Sequence, residues 1–123
     1  MLKKSDIFIE ELILFKTYSE SDPSWFGFLI TIKDGVSFNR NKMVEFLEGC
    51  NIQTRNLFAG NITRHPCFDE LREGKDYRII GKLKNTDKIM NDSFWIGLYP
   101  GMGKEKLDYM INKIKSFIND NKS

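Results

Sequence analysis

The chain has 123 residues, 41% hydrophobic and 29% charged, which is enough for one domain with one modest core and too apolar for a disordered segment. With 19 basic and 17 acidic residues the net charge is only +2, so no overall charge draws the chain to nucleic acid or to an anionic membrane. A single histidine and two separated cysteines, Cys50 and Cys67, argue against a zinc site and for a cytoplasmic protein with reduced thiols. No apolar run reaches membrane-spanning length, and Lys3-Lys4 is followed by acids, not by the apolar core of a secretory leader.

Residues 1–20 admit two assignments. Ser5 caps a helix from Asp6 to Phe15, or Ile13-Leu14-Phe15 forms a strand, because the apolar residues suit either period. Ser19 to Pro23 is a loop by composition. Trp25 to Ile32 is nearly continuous in aromatic and aliphatic residues and predicts a strand buried on both faces, ended by Asp34-Gly35. Asn39 caps a helix over residues 40–48, with Phe38 as a staple to Met43 and Gly49 as the left-handed stop. A second strand is expected from Ile52 to Phe58. Residues 59–84 are polar and broken, with Pro66 opening a short helix to Arg72 and Tyr77 to Ile80 extended. Asn85 or Thr86 caps a helix carrying Ile89 and Met90. A third strand runs from Phe94 to Tyr99, and Gly97 within it predicts close contact with backbone or ligand. Leu107, Met110, Ile111, Ile114, Phe117 and Ile118 recur at helical spacing and define a last helix over residues 104–119.

These elements predict an α+β fold: a small, largely antiparallel sheet of three to four strands covered by the helices at 40–48 and 104–119. Residues 1–22 are expected to be an N-terminal or interdomain segment, 23–119 the domain and 120–123 a tail.

The stretch from Gln53 to Phe68 concentrates the polar chemistry. Arg55 and Arg64 offer forked donors for phosphate or carboxylate, and Asn61 and Thr63 add further hydrogen-bonding groups beside Gly60. His65 has no local partner that marks it as a general base. Cys67, near Arg64, is the better placed thiol, though both cysteines are simplest as small apolar residues. Phosphate loops, dinucleotide glycine fingerprints and nucleophile elbows are absent, so no catalytic, cofactor-binding or metal-binding residue is assigned.

Four motifs in order make the sequence specific: Pro23-Ser24-Trp25-Phe26-Gly27-Phe28; Thr54-Arg55-Asn56-Leu57-Phe58-Ala59-Gly60-Asn61-Ile62-Thr63-Arg64-His65-Pro66; Asn85-Thr86-Asp87 with Met90-Asn91; and Phe94 to Gly101. Over residues 20 to 119 they resemble the C-terminal part of DegT/DnrJ/EryC1-family sugar aminotransferases. The CDP-4-keto-6-deoxy-glucose-3-dehydrase subgroup of lipopolysaccharide O-antigen synthesis is the nearest in wording. The resemblance implies the small domain of a fold-type I enzyme that uses pyridoxal or pyridoxamine phosphate on nucleotide-linked keto-sugars as a homodimer. It implies equally that the cofactor's anchoring groups lie in a large domain outside this sequence, so this chain, as the small domain by itself, is expected to be inactive alone. The iron–sulfur ligands of some relatives do not map to Cys50 and Cys67.

On that resemblance, Arg55 and Arg64 are expected to face the sugar or pyrophosphate, with Asn61 and Thr63 contributing hydrogen bonds. The structural alternative has Arg55 supporting its strand and Arg64 capping the following helix. A large cofactor-binding domain is the expected partner, and surface exposed by its absence predicts an apolar patch near Trp25 or Phe94 and self-association. A stand-alone module that pairs with a separately encoded large domain remains the alternative. A single-stranded RNA binder is disfavoured by the near-neutral charge.

Overall fold

The computed structural model describes residues 9–122. Four strands form one antiparallel sheet: β1 (Leu12–Leu14), β2 (Gly27–Ile32), β3 (Thr54–Asn56) and β4 (Ser93–Gly97), in the spatial order β1-β2-β4-β3. Three α-helices lie among the described residues: α1 (Arg40–Gly49), α2 (Lys84–Asp92) and α3 (Lys104–Asp120). The expected α+β architecture is therefore present, with the β-α-β order of the first half intact. The N-terminal ambiguity resolves toward a strand, whose Leu12 and Leu14 point into the core while Ile13 is exposed. The proposed helix cap at Ser5 lies outside the described residues.

The period-2 geometry of β2 divides its side chains. Phe28, Ile30 and Ile32 are buried, and Gly27, Leu29 and Thr31 are half-buried on the other face, so the strand is not sealed on both sides as its composition suggested. Phe94 and Ile96 of β4 join the same core, and α1 and α3 cover it with Met43, Leu47, Met110, Ile114, Phe117 and Ile118. Phe38 meets Phe117 edge to face at 5.0 Å and 81°. Each fully buried side chain of this size contributes about 1.5–3 kcal/mol.

Helix α1 begins as its sequence dictates, with the Asn39 side chain accepting from the Lys42 amide at 2.9 Å. Its stop differs. Gly49 stays in the last turn, and Asn51 takes the left-handed position (φ 59°) while the Ile52 amide donates to Leu47 O at 2.9 Å. Asparagine tolerates this conformation better than most side chains, and the glycine is not needed. The second strand is also shorter than expected, because Ala59 and Gly60 both have positive φ and turn the chain out of the sheet.

The region 59–83 carries two single-turn 3₁₀ segments, Ile62–Arg64 and Pro66–Phe68, in place of a helix to Arg72. Tyr77 makes only an isolated bridge with Glu73. Helix α2 starts one residue before the predicted caps. Leu83 (φ 47°) precedes it without a side-chain cap, and Asn85 and Thr86 fall inside the first turn.

Gly97 is not the point of close approach: a Cβ there would meet nothing within 4 Å. Its register partner Gly27 is that point, since a Cβ on Gly27 would lie 2.7 Å from Trp95 Cε3. No helix among the described residues is long and apolar enough to cross a membrane.

Candidate functional site

The loop that leaves β3 is seated on α2. Gly60 approaches Met90 so closely that a Cβ would lie 2.8 Å from Met90 Cβ and 2.9 Å from its sulfur, and the Asn61 amide faces that sulfur at 3.3 Å. Asn61 is 2% exposed and fully engaged: its Oδ1 accepts from the Thr63 amide (3.1 Å) and hydroxyl (2.8 Å), and its Nδ2 donates to Asp87 Oδ1 at 2.6 Å. Such local bonding is what an asparagine supplies at the start of a turn. Next along the loop, Arg64 donates from Nη2 to Asp87 Oδ2 at 3.2 Å, with Nε 3.5 Å from Oδ1.

Asp87 thus gathers two of the polar residues singled out in the sequence. Hydrogen bonds from Arg64 and then from Asn61, outweighing partial desolvation, hold its carboxyl below the usual carboxylate range. The same bond raises the Arg64 guanidinium further above its ordinary value. Arg64 therefore pairs with the first turn of α2 and caps nothing after it. Its side chain is 63% exposed, and Nη1 has no hydrogen-bond partner among the described residues. The guanidinium shows its side-on edge to Asp87 and its end-on edge to solvent. His65 is occupied as well, its Nε2 against the Ala59 carbonyl oxygen.

Arg55 stands apart from this cluster. It sits on β3 opposite Trp95, and its Nη1 donates to Thr54 O at 2.8 Å. Beside it, Glu48 accepts from the Thr54 hydroxyl and amide, both at 2.6 Å, and clasps α1 to β3. Those two bonds, with Arg55 nearby, set the Glu48 carboxyl below its ordinary value. Arg55 also borders a groove of about 840 Å³ that includes Trp95, Tyr99, Lys106 and Tyr109.

By register, Gly27, Leu29, Trp95 and Arg55 share the face of the sheet opposite the core. There Trp95 contacts Phe26 at 4.8 Å and Phe58 at 6.5 Å between ring centroids. Phe26 is 67% and Phe58 74% exposed, whereas Phe94 is fully buried and Trp25 packs against Phe15 at 4.3 Å. The apolar patch expected near Trp25 or Phe94 therefore centres on Phe26 and Phe58, because Phe94 falls on the core side of β4.

Asp87 and Met90, the partners of the loop, carry no local sequence signal that links them to it. Asn85 and Thr86 carry a helix-cap signal and Asn85-Thr86-Asp87 is one of the four motifs, but neither signal points from Asp87 to the loop. Only the distant pairing of Asp87 with Asn61 and Arg64 reveals its position.

Solved structures first define the class. The fold matches that of an E. coli GDP-4-keto-6-deoxy-D-mannose-3-dehydratase with bound hydrated pyridoxal phosphate, at a TM-score of 0.75 and 21% identity, over 90% of this chain and 28% of that one. It also matches the aminotransferase TlmJ from Streptoalloteichus hindustanus, at a TM-score of 0.73 and 10% identity, over 95% of this chain and 29% of that one. The chain thus has the fold of a portion of these two enzymes, 28% and 29% of their lengths.

The DegT/DnrJ/EryC1/StrS aminotransferase family model matches residues 7–115, and the chain belongs to that family. It is 49% identical over 108 residues to the lipopolysaccharide biosynthesis protein RfbH of Salmonella typhimurium, covering 88% of this chain and 24% of that protein. It is 49% identical over 98 residues to the dTDP-4-dehydro-2,6-dideoxy-D-glucose 3-dehydratase of Saccharopolyspora spinosa, covering 80% and 20%. The chain spans about a quarter or less of these curated relatives.

Proposed function

We propose that this chain is the C-terminal, substrate-closing domain of a nucleotide-sugar 3-dehydratase of lipopolysaccharide deoxysugar synthesis. It supplies part of the substrate site and none of the cofactor site. The observation that carries this reading is the 49% identity to RfbH across nearly all of this chain, set against the small share of RfbH that it spans. The related aminotransferase activity, with which the fold is shared, is the second assignment within the same family.

Within that site Arg64 is the residue that touches substrate, because its exposed fork matches a phosphate or sugar oxygen. Asn61 and Thr63 hold the loop that presents it, and Arg55 contributes from the neighbouring groove. The residues present do not fit pyridoxal or pyridoxamine phosphate. Asp87, the carboxylate of the cluster, is already paired with Arg64 and Asn61, and the His65 ring is bound to backbone. A cofactor needs its own preorganised phosphate and ring contacts, and these belong to a large domain. Phe26 and Phe58 form the apolar seat for that domain, or for a second copy of this chain when it is absent. The same seat serves a large domain encoded as a separate protein.

The test replaces the matching segment of the Salmonella typhimurium RfbH relative with this chain and follows consumption of a nucleotide-linked 4-keto sugar. The exchanged protein is expected to turn over, Arg64→Ala in it to raise KM about tenfold, and the 123-residue chain to be inert with added cofactor. Unaided turnover by the chain would overturn the proposal.

A further inference from the structure

We propose that Asp87 is a positioning residue: it clamps the loop at residues 58–65 to α2 and fixes the direction in which Arg64 presents its free guanidinium edge. The inference deepens the substrate-site reading and rests on it for its functional arm, but the clamp itself is a property of this chain. Three observations carry it. The two oxygens of Asp87 are divided between the loop's buried anchor and its exposed tip, Oδ1 to Asn61 Nδ2 at 2.6 Å and Oδ2 to Arg64 Nη2 at 3.2 Å. The loop they hold passes through consecutive positive φ angles at Ala59 (46°) and Gly60 (66°), a conformation that persists only when its surroundings impose it. One turn from Asp87 on α2, Met90 fills the space beside Gly60 and meets the Asn61 amide.

The chemistry favours orientation over charge. A carboxylate paired with Arg64 offsets part of its positive field, so Asp87 weakens long-range attraction of an anion. In return it fixes a side chain that is otherwise free to sample many rotamers, and it leaves the end-on pair of N–H groups turned outward. A preset fork loses less entropy when an anion docks on it. Asn61 serves as the hinge of the clamp, since its Oδ1 also bonds Thr63 and so transmits the position of Asp87 into the turn that carries Arg64.

The test uses the uniformly ¹³C,¹⁵N-labelled 123-residue chain. In the unmodified protein the Arg64 Nε–H signal is expected to be resolved and protected from solvent exchange. In Asp87→Asn and in Asp87→Ala it should collapse into the free-arginine envelope, and the Thr63 amide should shift, while the methyl signals of Ile30, Ile96 and Ile114 stay in place as proof of folding. Asp87→Glu should restore part of the protection. An Arg64 signal that is unprotected at the outset, or unchanged in Asp87→Asn, overturns the clamp. Should Asp87→Ala fail to fold, Arg64→Lys reads the same contact from the other side: the Asn61 Nδ2 signals shift if the two share Asp87, and stay fixed if they do not. In the exchanged RfbH protein, Asp87→Asn is expected to raise KM about tenfold with kcat nearly unchanged. Loss of the Arg64 signature with no change in KM would retain the clamp and remove Arg64 from the substrate site.

Discussion

Substituting Gly60 by alanine separates two costs that the loop conceals. The first is backbone: φ is +66°, and an L-residue held in the left-handed region loses about 1–2 kcal/mol relative to glycine. The second is steric. The new methyl would sit 2.8 Å from Met90 Cβ and 2.9 Å from Sδ, and the near part of that side chain is fixed by the helix, so overpacking adds about 1–3 kcal/mol. The sum, about 2–5 kcal/mol, is a large share of the stability of a small domain. The assay is urea unfolding followed by circular dichroism for four proteins: the parent, Gly60→Ala, Met90→Ala and the double variant. Met90→Ala alone removes a half-buried side chain and is expected to cost about 1–2 kcal/mol. The double variant should be more stable than the two single costs predict, by about 1–2 kcal/mol, because the contacts with the Met90 sulfur and the rest of the side chain beyond Cβ disappear, while the backbone penalty and the 2.8 Å approach to the Cβ that alanine keeps remain. Additive costs would show that Met90 does not seat the loop. A Gly60→Ala protein as stable as the parent would refute both parts of the argument.

Further outcomes are expected. Phe94→Ala, at a fully buried site in the central strand, should cost about 3–5 kcal/mol and lower the midpoint of thermal unfolding measured by circular dichroism. The carboxyls of Asp87 and Glu48 titrate below their unfolded values, so their stabilisation is present above about pH 4 and fades as the pH falls through the folded values. Urea midpoints taken from about pH 7 down to about pH 3 should fall less steeply in Asp87→Asn than in the parent. Lys88 behaves in the opposite sense. Burial alone would lower its proton affinity, but bonds to Asp34 and Asp92 more than offset it, so its contribution holds below the ordinary lysine value and is lost as the pH rises through the raised one. Unmodified chain should sediment with a concentration-dependent mass, and Phe26→Ser with Phe58→Ser should make it monomeric. A monomer without those changes would remove the apolar seat.

Much of the scaffold could be read from local pattern. Helix α3 announces itself by apolar residues at helical spacing, β4 by its aromatic run, and α1 by Asn39, because each signal concerns residues close in the chain. What escaped was decided by distant contacts. β2 composition resembles a strand buried twice, yet register places Leu29 and Thr31 on a face that α1 and α3 do not cover. Leu83 in a left-handed start to α2 offers no capping signal at all. Arg64 and Asn61 were conspicuous as polar residues, but their common partner Asp87 lies over twenty residues away and resembles any acid in a helical first turn. Arg55 was grouped with them by proximity in sequence, and the alternation of β3 carries it to a different surface.

The strand order has a consequence for how the protein must be made. β4, flanked by β2 and β3, is the last strand to be synthesised, so no two of the three pair with one another until residues near 97 have left the ribosome. Until then a nascent chain exposes Phe28 and Ile30 with only β1 as neighbour. Any message cut short before that point yields a product in which β3 has no strand to pair with and β2 has only β1, a natural client for proteolysis.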